Sequence, residues 1–295
     1  MPSLRDVRMR IRGIDSTRQI TRAMQLVATS KMFRAQDAVQ KARPYAEKLT
    51  YVLGSLVAAI PEYEDPNPFL VRRDENKVAV VVFTSNRGLA GAVNSNVVRQ
   101  TIEHIEQLRS ANPGVDVSII GIGKVGVRML NKVAPIHSSY LDVPDQPSVS
   151  DVSTITDLAK NLYESREFDA IDVVFPSFVN TINQSPSISR LLPIEPVEHK
   201  GEELTNVNAP NYIYEPSAVS VLKTLIPRYL EIAMYRFALE ASASEHSARM
   251  VAMRNATDNA SELIDDLTLL YNRQRQSAIT SEMIDIASGA SALSQ

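Results

Sequence analysis

Apolar residues near the start of the chain recur every three or four positions, as they do on one face of an α-helix. Two stretches show this alternation: Leu4, Val7, Ile11 and Ile14, and then Ala38, Ala42, Tyr45, Leu49, Val52 and Leu56. Alternating steps of three and four are typical of the a/d seam of a coiled coil. Between the two stretches, Ile20, Met24, Val27 and Ala35 continue the seam through a change of phase. We therefore predict one helix over residues 3–59, bent near Pro44.

The C-terminal region has the same periodicity. No Gly occurs between Pro216 and Ser288, and Pro227 is the one proline after the start of this stretch. The seam positions are Met250, Met253, Thr257, Ala260, Ile264, Leu267, Tyr271, Gln274 and Ala278. A helix of this length would span on the order of 100 Å. We expect a kink or a helix restart at Pro227, and antiparallel pairing with the N-terminal helix.

The middle of the chain alternates between predicted strands and helices. The predicted elements are, in order, a strand over 77–85, a helix over 96–110, a strand over 115–123, a short helix over 124–131, a helix over 151–168 and a strand pair over 171–180 and 187–196. This order favours a mainly parallel, Rossmann-like sheet with an antiparallel hairpin at one edge. We predict an α/β protein in which a long antiparallel coiled coil (1–60 and 216–295) carries an inserted Rossmann-like domain (61–215), with a linker over 61–69.

Charge separates the first helix from the rest of the chain. Residues 1–50 hold 11 Lys or Arg against 4 Asp or Glu, a net charge of +7, and the remaining residues carry −10. A solvated helix face, a basic coiled-coil scaffold that binds nucleic acid, and a helix that runs inside an acidic partner are all compatible with this pattern. Aromatic residues are scarce there, which disfavours nucleic acid.

Other features bound the cellular context. The chain of 295 residues has no Cys, which excludes disulfides and thiolate chemistry. No apolar run reaches the length of a membrane span, and the charged N-terminus lacks the apolar core of a secretory signal. We expect a cytosolic protein, or one peripheral to a membrane.

One glycine motif suggests a cofactor. Residues 121–126, GIGKVG, match G-x-G-x-x-G between a strand and a helix, and Asp142 follows at about the distance of a ribose-binding acid. A dinucleotide-dependent enzyme is therefore the alternative function. The motif follows the second strand, however, its helix is short, and tight packing explains the glycines equally well. The loop RGLAGAVN lacks the Gly-Lys-Ser/Thr of a phosphate loop.

Candidate catalytic residues are few. His104, His137, His199 and His246 are scattered and form no metal-binding spacing, so we expect structural roles and no metal. Asp265 and Asp266 are adjacent on a helix, so their carboxylates diverge by about 100°. We expect no cofactor and no active site in this chain.

Four segments resemble the gamma subunit of F-type ATP synthases. These are RGIDSTRQITRAMQLVATSKM with RPYAE, FTSNRGLAGAVN, SEHSARMVAMRNATDNA, and YNRQRQSAITSEMIDIASGA. They occur in the order and spacing of that family, so the resemblance covers essentially the whole chain. The phrase from Ile279 to Ala290 is its most specific part. The resemblance implies a coiled coil with a Rossmann-like domain.

The resemblance also implies a function and partners. A gamma subunit is a rotor shaft that turns inside a ring of three alpha and three beta subunits, and its globular foot binds epsilon and the membrane c-ring. Catalytic sites lie on beta, so this chain would not be an enzyme by itself. Proton flow, or less often sodium flow, would drive rotation and ATP synthesis. The expected location is the cytoplasmic side of a bacterial-type plasma membrane, as a peripheral subunit.

A few residues match positions where the family meets its ring. Arg275 and Gln276 resemble the pair that contacts a loop of beta, and Thr280 and Glu282 match adjoining positions. Met24 matches an N-helix methionine that passes an acidic segment of beta, but its place in the seam already accounts for it and is the stronger explanation. The cations near this seam, Arg22, Lys31 and Arg34, would face the acidic lining of the ring.

Overall fold

The computed structural model describes residues 3–59, 67–195 and 214–293. The chain divides into two compact units, Met1–Ala28 with Met250–Gln295, and Thr29–Arg249. Its helices are α1 (Leu4–Ala59), α2 (Val93–Ala111), α3 (Lys124–Leu130), α4 (Val149–Glu164) and α5 (Ala218–Leu293). Its strands are β1 (Lys77–Phe83), β2 (Asp116–Ile122), β3 (Ile136–Tyr140), β4 (Ala170–Phe178) and β5 (Gln184–Leu192). Among the described residues, no helix carries an apolar run long enough to cross a bilayer.

Both long helices continue through their internal prolines. Pro44 lies within α1, and Pro227 lies within α5, which begins nine residues earlier. The helix restart expected at Pro227 is therefore wrong. An internal proline costs about 3 kcal/mol because it removes a backbone hydrogen bond. The buried side chains Leu222, Ile226 and Leu230 on either side of Pro227 offset this cost and hold the helix together.

In the first unit, the N-terminal part of α1 pairs with the C-terminal part of α5. Arg8 hydrogen-bonds Tyr271, and the Thr21 and Thr257 hydroxyls lie 2.8 Å apart. The pairing is antiparallel, because the residue number rises on one helix as it falls on the other. In this part of α1, one series of buried or half-buried positions steps by three and four without interruption: Leu4, Val7, Ile11, Ile14, Arg18, Thr21, Gln25 and Ala28. Asp15 and Met24 are half-buried beside this series.

This seam corrects the sequence prediction in its middle. Ile20 and Val27 were predicted to lie in the seam, but they are 57% and 56% exposed, and no change of phase occurs. Thr21 and Ala28 are buried in their place. The smaller side chains occupy the seam because they let the two helices approach closely, whereas the prediction followed hydrophobicity alone. Further along α1, Tyr45 is also exposed, and Leu49, Leu53 and Leu56 are buried.

The second unit is built on a five-stranded sheet of order β3-β2-β1-β4-β5. Strands β1 to β4 are parallel, and β5 pairs antiparallel to β4, as predicted for the hairpin. The apolar run of β1 reflects burial on both faces. Val78, Val80 and Val82 pack with α2, whereas Ala79 and Val81 pack with α4 and with residues of α1 and α5 from this unit.

Two local features differ from the sequence prediction. Strand β3 was not predicted, because its sequence IHSSY is largely polar and it lies at the edge of the sheet. The predicted linker over 61–69 contains Phe69, which is buried and stacks on Tyr163. Asn67 caps the short 3₁₀ helix Pro68–Leu70 that places this ring. Residues 61–66 of the predicted linker lie outside the described residues.

Candidate partner-binding surface

The last turns of α5 have no covering element among the described residues. The buried side of α5 in the first unit includes Met253, Ala260, Tyr271 and Gln274, as the sequence predicts. It ends there, because every residue from Arg275 to Ser288 is exposed. The prediction that Ala278 occupies a seam position is therefore wrong. This helix end is a surface available to another protein.

Four of the five predicted contact residues lie on this helix end. Arg275, Gln276, Thr280 and Glu282 are all exposed and fall within eight consecutive residues. Their spacing places Arg275 and Glu282 on one face and Gln276 and Thr280 on a second face. The helix therefore offers a cation and a carboxylate on one side, and an amide and a hydroxyl on another.

Met24 lies elsewhere. Because Thr21 faces Thr257, Met24 lies about one turn further along the pair, near the level of residue 254. That level is some 20 residues from Arg275, which corresponds to roughly 30 Å along the helix. Met24 was predicted to lie in the seam, but it is half-buried and lies beside the observed seam of Thr21 and Gln25. The structure thus separates Met24 from the other four residues.

The cations near Met24 differ in their availability. Arg22 is exposed. Lys31 forms an ion pair with Asp145, so its charge is already met within the chain. The hydrogen bond to Lys31 is the main cause that lowers the pKa of the Asp145 carboxyl. That Arg22, Lys31 and Arg34 face an acidic partner stays a prediction, and Lys31 already has one acidic neighbour within the chain.

The glycine motif is occupied by the protein itself. Helix α3 begins with Lys124, Val125 and Gly126, so their backbone N–H groups lie at its N-terminus. They donate to Asn86 Oδ1 at 3.2 Å, to the Ser85 carbonyl at 3.2 Å and to Thr84 Oγ1 at 2.9 Å. These N–H groups are the donors that a pyrophosphate would need at a helix N-terminus. Because these N–H groups already donate to residues 84–86, they are not available to a pyrophosphate, which argues against a dinucleotide site.

The motif glycines have a packing role. A Cβ on Gly126 would lie 2.5 Å from the Thr84 side chain, and one on Gly121 would lie 2.4 Å from Val127. Gly123 has a φ of +88°, and a Cβ there would meet the Thr84 carbonyl oxygen at 2.0 Å. Asp142, the proposed ribose ligand, is exposed. The close approach of β1, β2 and α3 accounts for these glycines.

The three described histidines have structural surroundings. His104 Nε2 lies 2.8 Å from Asp172, which is buried and also pairs with Arg190. His137 packs edge-on against Phe168. His246 is 1% exposed on α5. His199 lies outside the described residues.

Comparisons with known proteins agree with the resemblance. The family model described as ATP synthase matches residues 3–293. The chain is 43% identical to the ATP synthase gamma chain of Roseiflexus castenholzii over the full length of both. It is 41% identical to that of Pelotomaculum thermopropionicum, covering 99% of this chain and 100% of the relative. The chain belongs to the ATP synthase gamma-chain family.

Solved structures similar to this gamma-family chain have the same fold. One is a chain of the Euglena gracilis mitochondrial ATP synthase (OSCP, F1 and c-ring, rotational state 3), with a TM-score of 0.68 and 20% identity. The match covers 98% of this chain and 94% of that one. Another comes from the central stalk and c-ring of the Tetrahymena thermophila enzyme, with a TM-score of 0.59, 23% identity, and coverage of 80% and 99%.

The gamma-family chain also has surface residues that the sequence analysis missed. Ile279, Met283 and Ile286 form an apolar stripe on the exposed helix end, and they are 46%, 58% and 66% exposed. Their spacing of four and three keeps them on one face, out of phase with the seam. That change of phase after Gln274 was the available signal. An apolar stripe of this kind marks a protein-binding surface.

Proposed function

We propose that this chain is the central rotor shaft of an F-type ATP synthase and has no catalytic site of its own. The observation that carries the proposal is the uncovered end of α5, with its apolar stripe and its polar faces, in a chain of the gamma family. A helix that ends a two-helix pair and exposes Ile279, Met283 and Ile286 needs a surrounding partner. A ring of three alpha and three beta subunits would supply it.

The proposal assigns roles to the contact residues. Arg275 is suited to a charge-assisted hydrogen bond with a carboxylate or carbonyl of beta, and Gln276 to a second bond on the neighbouring face. Thr280 and Glu282 would continue the contact toward the helix end, and Met24 would pass beta further down the shaft. Each of these contacts would be made and broken as the shaft turns.

The remaining partners follow from the rotor role. The α/β unit would bind epsilon and rest on the c-ring, so that ion flow through the membrane turns the shaft. The chain would thereby be held as a peripheral subunit at the cytoplasmic side of the cell membrane. Purification of membrane complexes by a tag on this chain should yield alpha, beta, epsilon and c subunits, with alpha and beta in threefold excess.

A reversible cross-link tests the rotor role. The chain has no Cys, so Ser277→Cys introduces a single thiol beside Arg275 and Gln276. A matching Cys on the facing loop of beta can form a disulfide if the two Cα atoms approach within about 7 Å. Oxidation should stop multi-turn ATP hydrolysis by the complex, and reduction should restore it.

A cross-link at a second position, further from the end of α5, shows whether rotation can bypass the bond at Ser277. Rotation about backbone bonds near the tip could bypass a bond at Ser277, so the same test is made with Glu262→Cys, an exposed residue further down α5. The matched control is each Cys variant without its partner on beta. Steady-state turnover that persists with both cross-links formed quantitatively would overturn the proposed function.

A further inference from the structure

One segment of α5 is buried around most of its circumference. Ser242, Ala243, Ser244, His246, Ser247 and Ala248 are all buried, and all belong to the Thr29–Arg249 unit. A helix paired with one neighbour buries a single stripe, whereas six buried residues out of seven require contacts on several sides. Yet most of these residues are polar or small, so apolar packing alone does not explain the burial.

Three serines of this segment bond to three backbone carbonyls outside the helix. Ser242 Oγ donates to the Asp145 carbonyl at 2.5 Å, Ser244 Oγ to the Pro176 carbonyl at 2.9 Å, and Ser247 Oγ to the Thr181 carbonyl at 2.7 Å. Asp145 follows β3, Pro176 lies near the end of β4, and Thr181 lies in the turn between β4 and β5. Serines inside a helix usually bond to their own helix or to water, so this pattern is unusual.

The serines point in different directions. At about 100° per residue, Ser242 and Ser244 diverge by about 160° around the helix axis. Ser247 lies about 60° from Ser244 and about 140° from Ser242. The loop after β3 therefore holds α5 from one side and the β4–β5 hairpin from nearly the opposite side.

Further contacts complete the enclosure. Ala248 packs with Ala90 of the loop after β1 and with Val93, the first residue of α2. Arg249 pairs with Glu245 at 2.7 Å, and its guanidinium approaches the Gly88 carbonyl at 3.4 Å. We call the three segments 85–93, 141–148 and 176–183, which are loops with the adjoining ends of β4 and α2, the collar. The collar also reaches α1, because Asp145, whose carbonyl accepts from Ser242, pairs with Lys31 through its side chain.

We propose that the collar is a torsional clamp, the place where torque passes between the α/β body (β1–β5 with α2–α4) and the long helices α1 and α5. Apolar contacts are non-directional and allow a helix to turn about its axis, whereas hydrogen bonds depend steeply on angle. Three directional bonds from different sides therefore oppose rotation of α5 within the body. This inference rests on the proposed rotor function.

The main test removes the three serine donors and keeps the helix. Ser242→Ala, Ser244→Ala and Ser247→Ala are combined, because Ala is the best helix former. In the membrane-bound complex, the rate of ATP hydrolysis without a proton gradient should stay within about twofold, since an unloaded shaft meets little resistance. The rate of ATP synthesis at low driving force should fall about fivefold, on the order expected for lost buried hydrogen bonds. Rotor stiffness in single-molecule twisting should also fall.

A matched triple variant controls for the loss of hydroxyls. Thr224, Ser261 and Thr268 on the same helix donate to carbonyls of their own helix, four residues earlier. Replacing these three by Ala removes no bond between elements and should leave both synthesis and stiffness unchanged. Hydrogen exchange of the collar amides should rise about tenfold in the serine variant and not in this control, because a buried carbonyl loses its donor.

A charge exchange tests the clamp without touching the serines. Lys31→Asp should lower synthesis at low driving force, and Lys31→Asp together with Asp145→Lys should restore it. This pair serves as the test if the triple serine variant fails to assemble.

Faster exchange in the collar with normal stiffness and normal synthesis would overturn the clamp and leave a purely structural role. Failure of the proposed function is distinguishable, because it appears as turnover that survives both the Ser277→Cys and the Glu262→Cys cross-links.

Discussion

The hydroxyls of Thr21 and Thr257 lie 2.8 Å apart between the two long helices of the first unit. Both residues occupy seam positions, where apolar side chains would be expected. Each hydroxyl also lies near a carbonyl of its own helix, those of Arg18 and Met253. A hydrogen bond between two seam residues is satisfied in one register and lost when either helix slips by a turn, so this pair helps to set the register.

The first prediction concerns the coupling of these two residues. Thr21→Val or Thr257→Val alone should lower the free energy of unfolding by about 1 kcal/mol, the net contribution of one hydrogen bond. The free energy of unfolding of the double variant should fall by less than the sum of the two single losses. The difference should be about 0.5 kcal/mol or more, because either single variant already removes the bond that the two residues share. Urea unfolding of the purified chain measures all four corners of the cycle. Thr268→Val in place of Thr257→Val is the control, and additive losses for the Thr21–Thr257 pair would contradict the coupling.

The second prediction uses the glycines of the GIGKVG motif. Gly126→Ala should destabilise the chain by roughly 1–3 kcal/mol, because its Cβ would lie 2.5 Å from the Thr84 side chain. Thr84→Ala removes the atoms in conflict and should recover part of that loss. Gly123→Ala provides the matched comparison, since its Cβ would meet the Thr84 backbone at a positive φ.

Thr84→Ala should therefore give Gly123→Ala no relief. Thermal unfolding of the two single and two double variants distinguishes the cases. Equal rescue at both positions would mean that the clash with the Thr84 side chain is not the cause. A packing role also predicts no heat signal when NAD is titrated into the unmodified chain.

The long helices and the sheet could be predicted from the sequence because their signals are periodic and long. The apolar run of β1 and the three-four alternation of α5 each repeat one physical requirement many times. The errors occur where the neighbouring element decides whether a residue is buried. Thr21 and Ala28 replace Ile20 and Val27 in the seam because the approach of the other helix favours small side chains. Strand β3 is polar because an edge strand is only partly covered.

The collar could not be predicted for a related reason. Ser242, Ser244 and Ser247 look like solvent-exposed helix residues. Their acceptors are backbone carbonyls more than 60 residues away in sequence. Backbone acceptors leave no trace in the residue types. The exposed helix end could be predicted because its residues resemble those of a known family. Its apolar stripe could be recognised only once the structure showed that the seam stops at Gln274.

The third prediction concerns pH and His246. Burial, followed by the nearby charge of Arg249, lowers the pKa of His246 from 6.5 to about 4. Asp145 opposes this effect, and Lys31 adds to it. Burial raises the pKa of the neighbouring Glu245 carboxyl, against the influence of Arg249. Between pH 6.5 and about 4 the unfolded chain binds more protons at His246 than the folded chain.

The stability due to neutral His246 is therefore fully present above pH 6.5 and is lost as the pH falls toward 4. The loss should reach up to about 1.4 kcal/mol per pH unit, and His246→Gln should remove it. Urea unfolding from pH 7 to pH 4.5 measures the difference between the two proteins, in which the opposite contribution of Glu245 cancels. Parallel profiles for the unmodified and His246→Gln chains would contradict the prediction.

The last prediction addresses the exposed end of α5. Arg275→Ala together with Gln276→Ala should lower ATP turnover of the assembled complex about tenfold or more, because a charge-assisted hydrogen bond contributes roughly 1.5–3 kcal/mol. The helix should still form, since Arg and Gln have helix propensities close to that of Ala. Both side chains are exposed in the chain, so their loss removes no internal contact of a buried group.

A matched pair separates this contact from a general effect of charge. Asn272 and Arg273 are also exposed and lie one turn earlier on α5. Asn272→Ala with Arg273→Ala removes a similar cation and a similar amide, and it should reduce turnover less. Assembly is checked first by the amounts of alpha and beta that co-purify, so that lost activity is not confused with lost binding. Normal turnover by the Arg275 and Gln276 variant in a fully assembled complex would remove these residues from the mechanism. The apolar stripe of Ile279, Met283 and Ile286 would then be the remaining contact to test.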